Sequence, residues 1–246
     1  MMEAMEFVAQ SNMSENTRGA DARRHNMYRP VHKGLRSLMC DVLGRVGRLD
    51  ADDAAETAET VGRVREMLFL CRSHLHHENQ FIHPALEARC AGSAVATAGD
   101  HVHHETALER LEGSLRQVER GAGEARRQAA QALYGELTLF VAENFRHMQV
   151  EETENNAALW EAYADEELEA IHDALVASIP PEKMMVYLRW MVPAMAPDER
   201  AELLGGIRQK LPAEAFVGVL ATVKPVLALR DWSKLMVALG ELPMAA

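Results

Sequence analysis

Apolar residues return every three or four positions along most of this chain, and that period leaves little room for any architecture except packed helices. Val31, Leu35, Leu38, Met39, Val42 and Val46 share one face of a helix that advances about 100° per residue. A second stripe runs through Val64, Met67, Leu70, His74, Phe81 and Ala85. A third holds Leu108, Leu111 and Leu115, and a fourth holds Leu133, Leu137, Phe140 and Val141. Valine and isoleucine runs of strand type are missing, and aromatics are only 5% of the residues while Ala, Leu and Met abound. Such a composition favours helix, and the chain reads as all-α.

The punctuation sets the helix ends. Pro30 suits the first turn of a first helix. LDADDAAET breaks the apolar pattern, and its acidic residues open a second helix over about 53–89, with a bend near Pro84. AGSAVATAG is a small-residue loop before a third helix over about 97–121. The fourth starts near Gly123 and continues past Trp160. Short connections between four amphipathic helices predict an antiparallel four-helix bundle over residues 27–164. Residues 1–26 carry no stable period and are expected to form a mobile lead-in. From residue 165, prolines at 180, 181, 193, 197, 212 and 225 separate short helices, so 165–246 reads as a smaller helical module without a catalytic constellation.

Charge and cysteine content narrow the setting. The chain has 37 acidic against 26 basic residues, a formal charge of -11, which argues against nucleic acid or an anionic membrane as the main partner. No apolar run approaches the roughly 20 residues of a membrane span. Three cysteines, Cys40, Cys71 and Cys90, fit a reducing cytosol better than a disulfide framework. The opening MMEAMEFVAQSNMSEN has no apolar core of a signal peptide, so the expected location is cytoplasmic.

Two near-copies of one pentapeptide carry the chemistry: HLHHE from His74 and HVHHE from His101. Helical arithmetic puts His74 and Glu78 on the buried stripe with Met67, Leu70 and Phe81. The same arithmetic puts His101, His104 and Glu105 with Leu108, His147 and Glu151 with Phe140, and His32 with Leu35 and Met39. Buried imidazoles and carboxylates are costly unless paired, hydrogen-bonded or bound to metal. A lone core histidine is usually a satisfied hydrogen-bonding residue, and with 11 histidines some are incidental. Here every helix of the bundle carries one in phase with its apolar stripe, and three carry a His-x-x-x-Glu pair. Four helices that each present a ligand inward are how bundles hold two metals. Residues i and i+4 project from adjacent turns, so an imidazole can bind one ion while the carboxylate reaches the same ion or bridges to a second. Imidazole with carboxylate suits iron, manganese or zinc rather than calcium or magnesium.

The segments YRPVHKGLRSLM, HLHHENQFIHPAL, DHVHHETALERL and FRHMQVEET, in this order over residues 28 to about 160, resemble the hemerythrin-like, or HHE cation-binding, family. The resemblance implies two iron ions, a non-haem di-iron centre with room for an oxo or hydroxo bridge, held by His32, His74, Glu78, His101, His147 and Glu151. Glu78 and Glu151 would be the bridging carboxylates. The third helix departs from the oxygen-carrying pattern: four residues after His101 stands Glu105, with His104 one residue earlier, and either completes the set. Geometry slightly favours Glu105. An added carboxylate would stabilise the ferric state and move the site from reversible oxygen carriage towards oxygen or peroxide chemistry. The remaining histidines read as structural: His25 in the lead-in, His76 and His83 facing away, His103 off the stripe, and His172 beyond the bundle. His77 is intermediate, a candidate for orienting a ligand. Tyr28, one turn before His32, reads mainly as an aromatic filling the bundle end.

The segment MMVYLRWMVPAMAPDERAELLGGIRQKLPAEAFVGVL resembles more loosely the helical extensions of some members of that family. Three functions follow as expectations: a di-iron oxidoreductase with catalase- or peroxidase-like activity; a sensor or store for oxygen, nitric oxide or iron that signals through residues 165–246; and a metal-stabilised interaction protein. The expected partners are small molecules, with a protein partner or a second copy docking on the C-terminal module.

Overall fold

A computed structural model describes residues 24–241, and every regular element among them is helical. The long helices are α1 (Arg29–Gly47), α2 (Ala54–His77), α4 (Val95–Arg120) and α5 (Gly123–Val150). Two of them run on through a π-helical turn. Glu78–Ile82 joins α2 to the short α3 (His83–Arg89), and Glu151–Asn155 joins α5 to α6 (Asn156–Ala162). Then follow α7 (Asp165–Ala177), α8 (Pro181–Ala194), α9 (Pro197–Lys210), α10 (Ala213–Val223) and α11 (Leu229–Ala238).

Local chemistry accounts for the ends. Pro30 sits in the first turn of α1, where its missing N–H costs nothing. Asp53 caps α2 by accepting from the backbone N–H of Ala55 and Glu56 at 2.8 and 3.0 Å. Only two residues separate α4 from α5, and Gly123 takes φ +53, in the left-handed region that glycine enters at no steric cost. No helix among the described residues is long and apolar enough to cross a membrane.

The four long helices close into a ring: α1 packs on α2 and α5, and α4 packs on the same two. Inside lie Leu38, Val42, Val64, Met67, Leu70, Leu108, Leu115 and Leu137, all shielded from solvent. A second apolar cluster closes one end of the ring, with Met27, Tyr28, Ile82, Leu86, Leu159 and, from α7, Leu168. The boundary expected at residue 165 therefore runs through a shared core, because α7 covers this end. The lead-in expectation also shifts. The Arg24 guanidinium donates to Asp165 Oδ1 at 2.7 Å and to the carbonyls of Trp160 and Tyr163, and Trp160 Nε1 donates to the His25 carbonyl. Residues 24–26 are thus tied down, while the rest of the expected lead-in, 1–23, lies outside the described residues.

The C-terminal helices have their own core of Leu188, Val192, Leu204, Phe216, Val219, Val223 and Leu235. α8 belongs to both bodies. Its Tyr187 is buried in the ring's core, while Leu188 and Val192 face the C-terminal one. α8 lies so close to α1 that a Cβ on Gly34 would stand 2.9 Å from Met191 Cγ and 3.0 Å from its backbone nitrogen. The ion pair from Lys33 Nζ to Glu199 Oε1, 2.6 Å, fastens the same side of α1 to α9.

Candidate metal centre

The two π-helical turns begin at the two buried glutamates. Each glutamate lies one turn after a histidine on the same helix, His74 before Glu78 and His147 before Glu151, so the carboxylate and imidazole meet at 3.2 and 3.3 Å. α1 and α4 supply the facing histidines. His32 Nε2 stands 3.6 Å from Glu78 Oε1 and 3.5 Å from Glu151 Oε2. His101 Nε2 stands 3.4 Å from Glu78 Oε2 and 3.6 Å from Glu151 Oε1. The result is two groups of four ligand atoms: His32, His74, Glu78 and Glu151, then Glu78, His101, His147 and Glu151. Both glutamates belong to both groups, and all six side chains are buried.

The spacing suits an ion in each group. Two donors at about 2.1 Å from a shared ion stand about 3.0 Å apart at a right angle and about 3.4 Å apart at the tetrahedral angle. His32 Nε2 and His74 Nε2 are 3.1 Å apart, and His101 Nε2 and His147 Nε2 are 3.0 Å apart. All four carboxylate oxygens of Glu78 and Glu151 are buried without a hydrogen-bond donor of good geometry. Buried carboxylate oxygens are normally satisfied, and two bare carboxylates facing one set of imidazoles need cations between them.

Outer hydrogen bonds aim the imidazoles. His32 Nδ1 donates to Glu152 Oε1 at 3.0 Å, and that carboxylate is held in turn by Arg36. His101 Nδ1 donates to Asn79 Oδ1 at 2.7 Å, and His147 Nδ1 to Asp100 Oδ2 at 3.3 Å. A proton fixed on Nδ1 leaves the Nε2 lone pair pointing inward, the tautomer a metal ligand needs.

Electrostatics in the metal-free chain follow from this crowding. Burial opposes a charge on His32, yet the hydrogen bond it donates to Glu152 and the nearby carboxylates of Glu78 and Glu151 push it up to about 9. His101 is likewise raised against its burial, by Glu151 and Glu78, to about 9. Burial holds His74 down at about 4, and burial with the neighbouring His147 and His101 does the same to His104. Burial and Glu78 would raise Glu151, but His101 and His147 keep it at about 2. Protons on the imidazoles thus occupy the role that cations would take.

Of the eight residues expected at the site, the fold brings together His32, His74, Glu78, His101, His147 and Glu151. His104 lies beside the second group, its ring 4.8 Å from that of His147 at 89°, with Nδ1 buried and unpartnered. Glu105 is exposed on the outer face of α4 and does not reach the cluster, so the slight preference for it over His104 is not supported. The expectation for His83 is also overturned. It is buried, and its ring stacks on His101 at 4.7 Å and 25°. The π turn absorbs one extra residue, which swings everything after it by about 100° and brings His83 back inward. His77 is buried but belongs to neither group. His25 and His172, both read as structural, lie side by side with ring centroids 5.0 Å apart and planes tilted by 50°. Sequence reasoning passed over Asn79, Glu152 and Asp100. Asn79 and Glu152 each follow directly on a shared glutamate, and that adjacency was the available signal.

No family model matches the chain, and no curated protein or solved structure proves similar to it. The reading of the site therefore rests on its geometry.

Proposed function

We propose that this chain is a hemerythrin-like protein, its four long helices forming an antiparallel four-helix bundle around a non-haem di-iron centre, and that it disposes of peroxide or reduces oxygen. The observation that carries the proposal is the pair of four-donor groups sharing Glu78 and Glu151. A shared pair of carboxylates between two sets of histidines is what a two-metal site requires. The mixed imidazole and carboxylate donors suit iron, manganese or zinc, and iron, like manganese and unlike zinc, supplies the redox chemistry that peroxide or oxygen reduction needs.

The chain's own residues define what the site can do. Glu152, Asn79 and Asp100 hold three imidazoles with Nε2 inward. The apolar walls from the ring's core and the end cluster exclude bulk water, which strengthens every charge interaction inside. Binding two dications would release the protons held on His32 and His101 at neutral pH. A second reading, a sensor for oxygen, nitric oxide or iron, draws support from one contact. α1, which carries His32, is fastened to α8 and α9 through Gly34 and Lys33, so a shift of α1 would be felt by the C-terminal helices.

The test is to load the purified chain with ferrous iron without oxygen, count iron per chain, then add hydrogen peroxide and follow its consumption. The proposal expects close to two irons and peroxide turnover that His74→Ala and His147→Ala each diminish. A chain that takes up no iron refutes it; two irons with no turnover favours the sensor.

A further inference from the structure

Tyr28 is completely buried at the start of α1, one turn before His32, and its ring lies 5.5 Å from the His32 ring. Its hydroxyl has no hydrogen-bond partner of good geometry. Tyrosines that are buried nearly always satisfy that group, and a tyrosine serving only to fill a helix end is replaceable by phenylalanine at no loss. The surroundings explain why the hydroxyl is there. Burial, then the charges of Glu151 and Glu78, push the phenol well above its usual range, so it remains a protonated donor and lies within reach of both shared carboxylates' fields. The Asn155 side chain lies against the hydroxyl oxygen. Asn155 is itself committed, since its Nδ2 donates to Thr97 Oγ1 at 3.0 Å. The phenolic proton is thus left without a protein acceptor of good geometry among the described residues.

Given the di-metal reading above, we propose that Tyr28 donates a hydrogen bond to a small anion bound beside Glu78 and Glu151. Met27, Ile82, Leu86 and Leu159 pack in one apolar cluster with the tyrosine and offer its hydroxyl no side-chain acceptor. Asn155 sits one turn after Glu151, in the second π turn. Tyr28 is a binding residue here, and it transfers no proton in this scheme.

Azide is the probe, because it is a small anion whose stretching frequency reports hydrogen bonding. The oxidised, iron-loaded wild type and Tyr28→Phe are each titrated with azide, after iron per chain has been counted for both. The proposal expects equal iron content and azide binding about 10- to 100-fold weaker in the variant, the loss of one hydrogen bond to a charged acceptor. It also expects the antisymmetric stretch of bound azide to shift between H₂O and D₂O in the wild type and to lose that shift in Tyr28→Phe. Equal azide affinity in the two proteins, or a wild-type band indifferent to D₂O, overturns the role of Tyr28 while leaving the di-iron reading intact. Absence of iron from the wild type overturns the functional reading, and this inference with it. Should Tyr28→Phe fail to fold, the wild-type infrared measurement decides alone.

Discussion

Replacing Glu78 by glutamine keeps the side chain's size and removes its charge, and the position of Glu78 in both donor groups makes the outcome specific. Its oxygens lie 3.6 Å from His32, 3.2 Å from His74 and 3.4 Å from His101, which spans both pairs of imidazoles. Glu78→Gln should therefore weaken both metals, whereas His74→Ala touches only the first group. The magnitude follows from mass action. An ion held only by the folded chain, at a free concentration 100 times its dissociation constant, adds about 2.7 kcal/mol, so two add about 5 kcal/mol. For a chain of this size each kcal/mol moves the melting temperature by about 2–4 °C. The wild type should thus melt about 10–20 °C higher when loaded than when metal-free, His74→Ala should keep roughly half that difference, and Glu78→Gln should keep almost none. Comparing each variant with its own metal-free form cancels whatever the substitution does to the fold. The assay is scanning calorimetry on metal-free and ferrous-loaded protein without oxygen, with zinc in parallel and metal per chain counted by atomic emission. A Glu78→Gln protein that retains one tightly bound metal and half the thermal gain would show that the carboxylate serves one ion, and the shared-ligand reasoning would fail.

The metal-free chain should be most stable near pH 6.5. His32 and His101, raised to about 9, add stability that is full below about 6.5 and lost as the pH climbs through 9. His74 and His104, lowered to about 4, add stability that is full above about 6.5 and lost as the pH falls towards 4. Melting curves of chelator-treated protein from pH 4 to 9 test this, and a melting temperature that keeps rising from pH 7 to 9 would contradict it. On α4, His104→Ala should weaken metal in the second group or cost about 1–3 kcal/mol of stability, while Glu105→Ala should change stability by no more than about 0.5 kcal/mol and leave metal content unaltered. Metal counts and urea unfolding of the pair discriminate, and the reverse pattern would restore Glu105 as the ligand. Gly34→Ala should cost about 1–3 kcal/mol, because the new methyl meets the Met191 backbone at 3.0 Å. An unchanged urea midpoint would mean that α8 does not press on α1. Finally, Cys71, buried and pushed up to about 12 by that burial, should resist alkylation in the folded chain while exposed Cys40 reacts. Mass spectrometry of the labelled protein reads the order.

The six residues of the two donor groups could be read from the sequence because the phase of the His and Glu positions and the apolar phase are one pattern in a helix. His32, His74, Glu78, His101, His147 and Glu151 fall on their stripes, and burying the stripes brings them together. On α4, angles taken outward from His101 admit His104 and Glu105 alike. Measured instead from the middle of the buried set Thr97, Leu108, Leu111 and Leu115, His104 lies about 15° from the centre line and Glu105 about 85° from it. The π turns were not legible: ENQFI and EETEN contain neither proline nor glycine, and nothing local announces an i to i+5 step. His83 was misjudged for that reason alone. The seat of α8 was equally hidden, since MMVYLRWMV carries a single charge, Arg189, and has more than one apolar face to turn towards α1.

The π turns also explain how two half-sites become one centre. α1 with α2 supplies His32, His74 and Glu78, and α4 with α5 supplies His101, His147 and Glu151. The residue after each glutamate crosses to the opposite half: Asn79, on the turn after α2, holds His101 of α4, and Glu152, on the turn after α5, holds His32 of α1. Each half therefore orients a ligand of the other, so neither donor set is aimed until both halves have packed. The exchange is not symmetric. A carboxylate accepting from Nδ1–H makes the imidazole more basic at Nε2 than an amide oxygen does, which sets His32 apart from His101. His104 adds a further imidazole on the side of His147 alone. Two ions held here would each have an outer carboxylate, Glu152 behind His32 and Asp100 behind His147, and would differ in nitrogen donors nearby, since only the second group has His104 beside it.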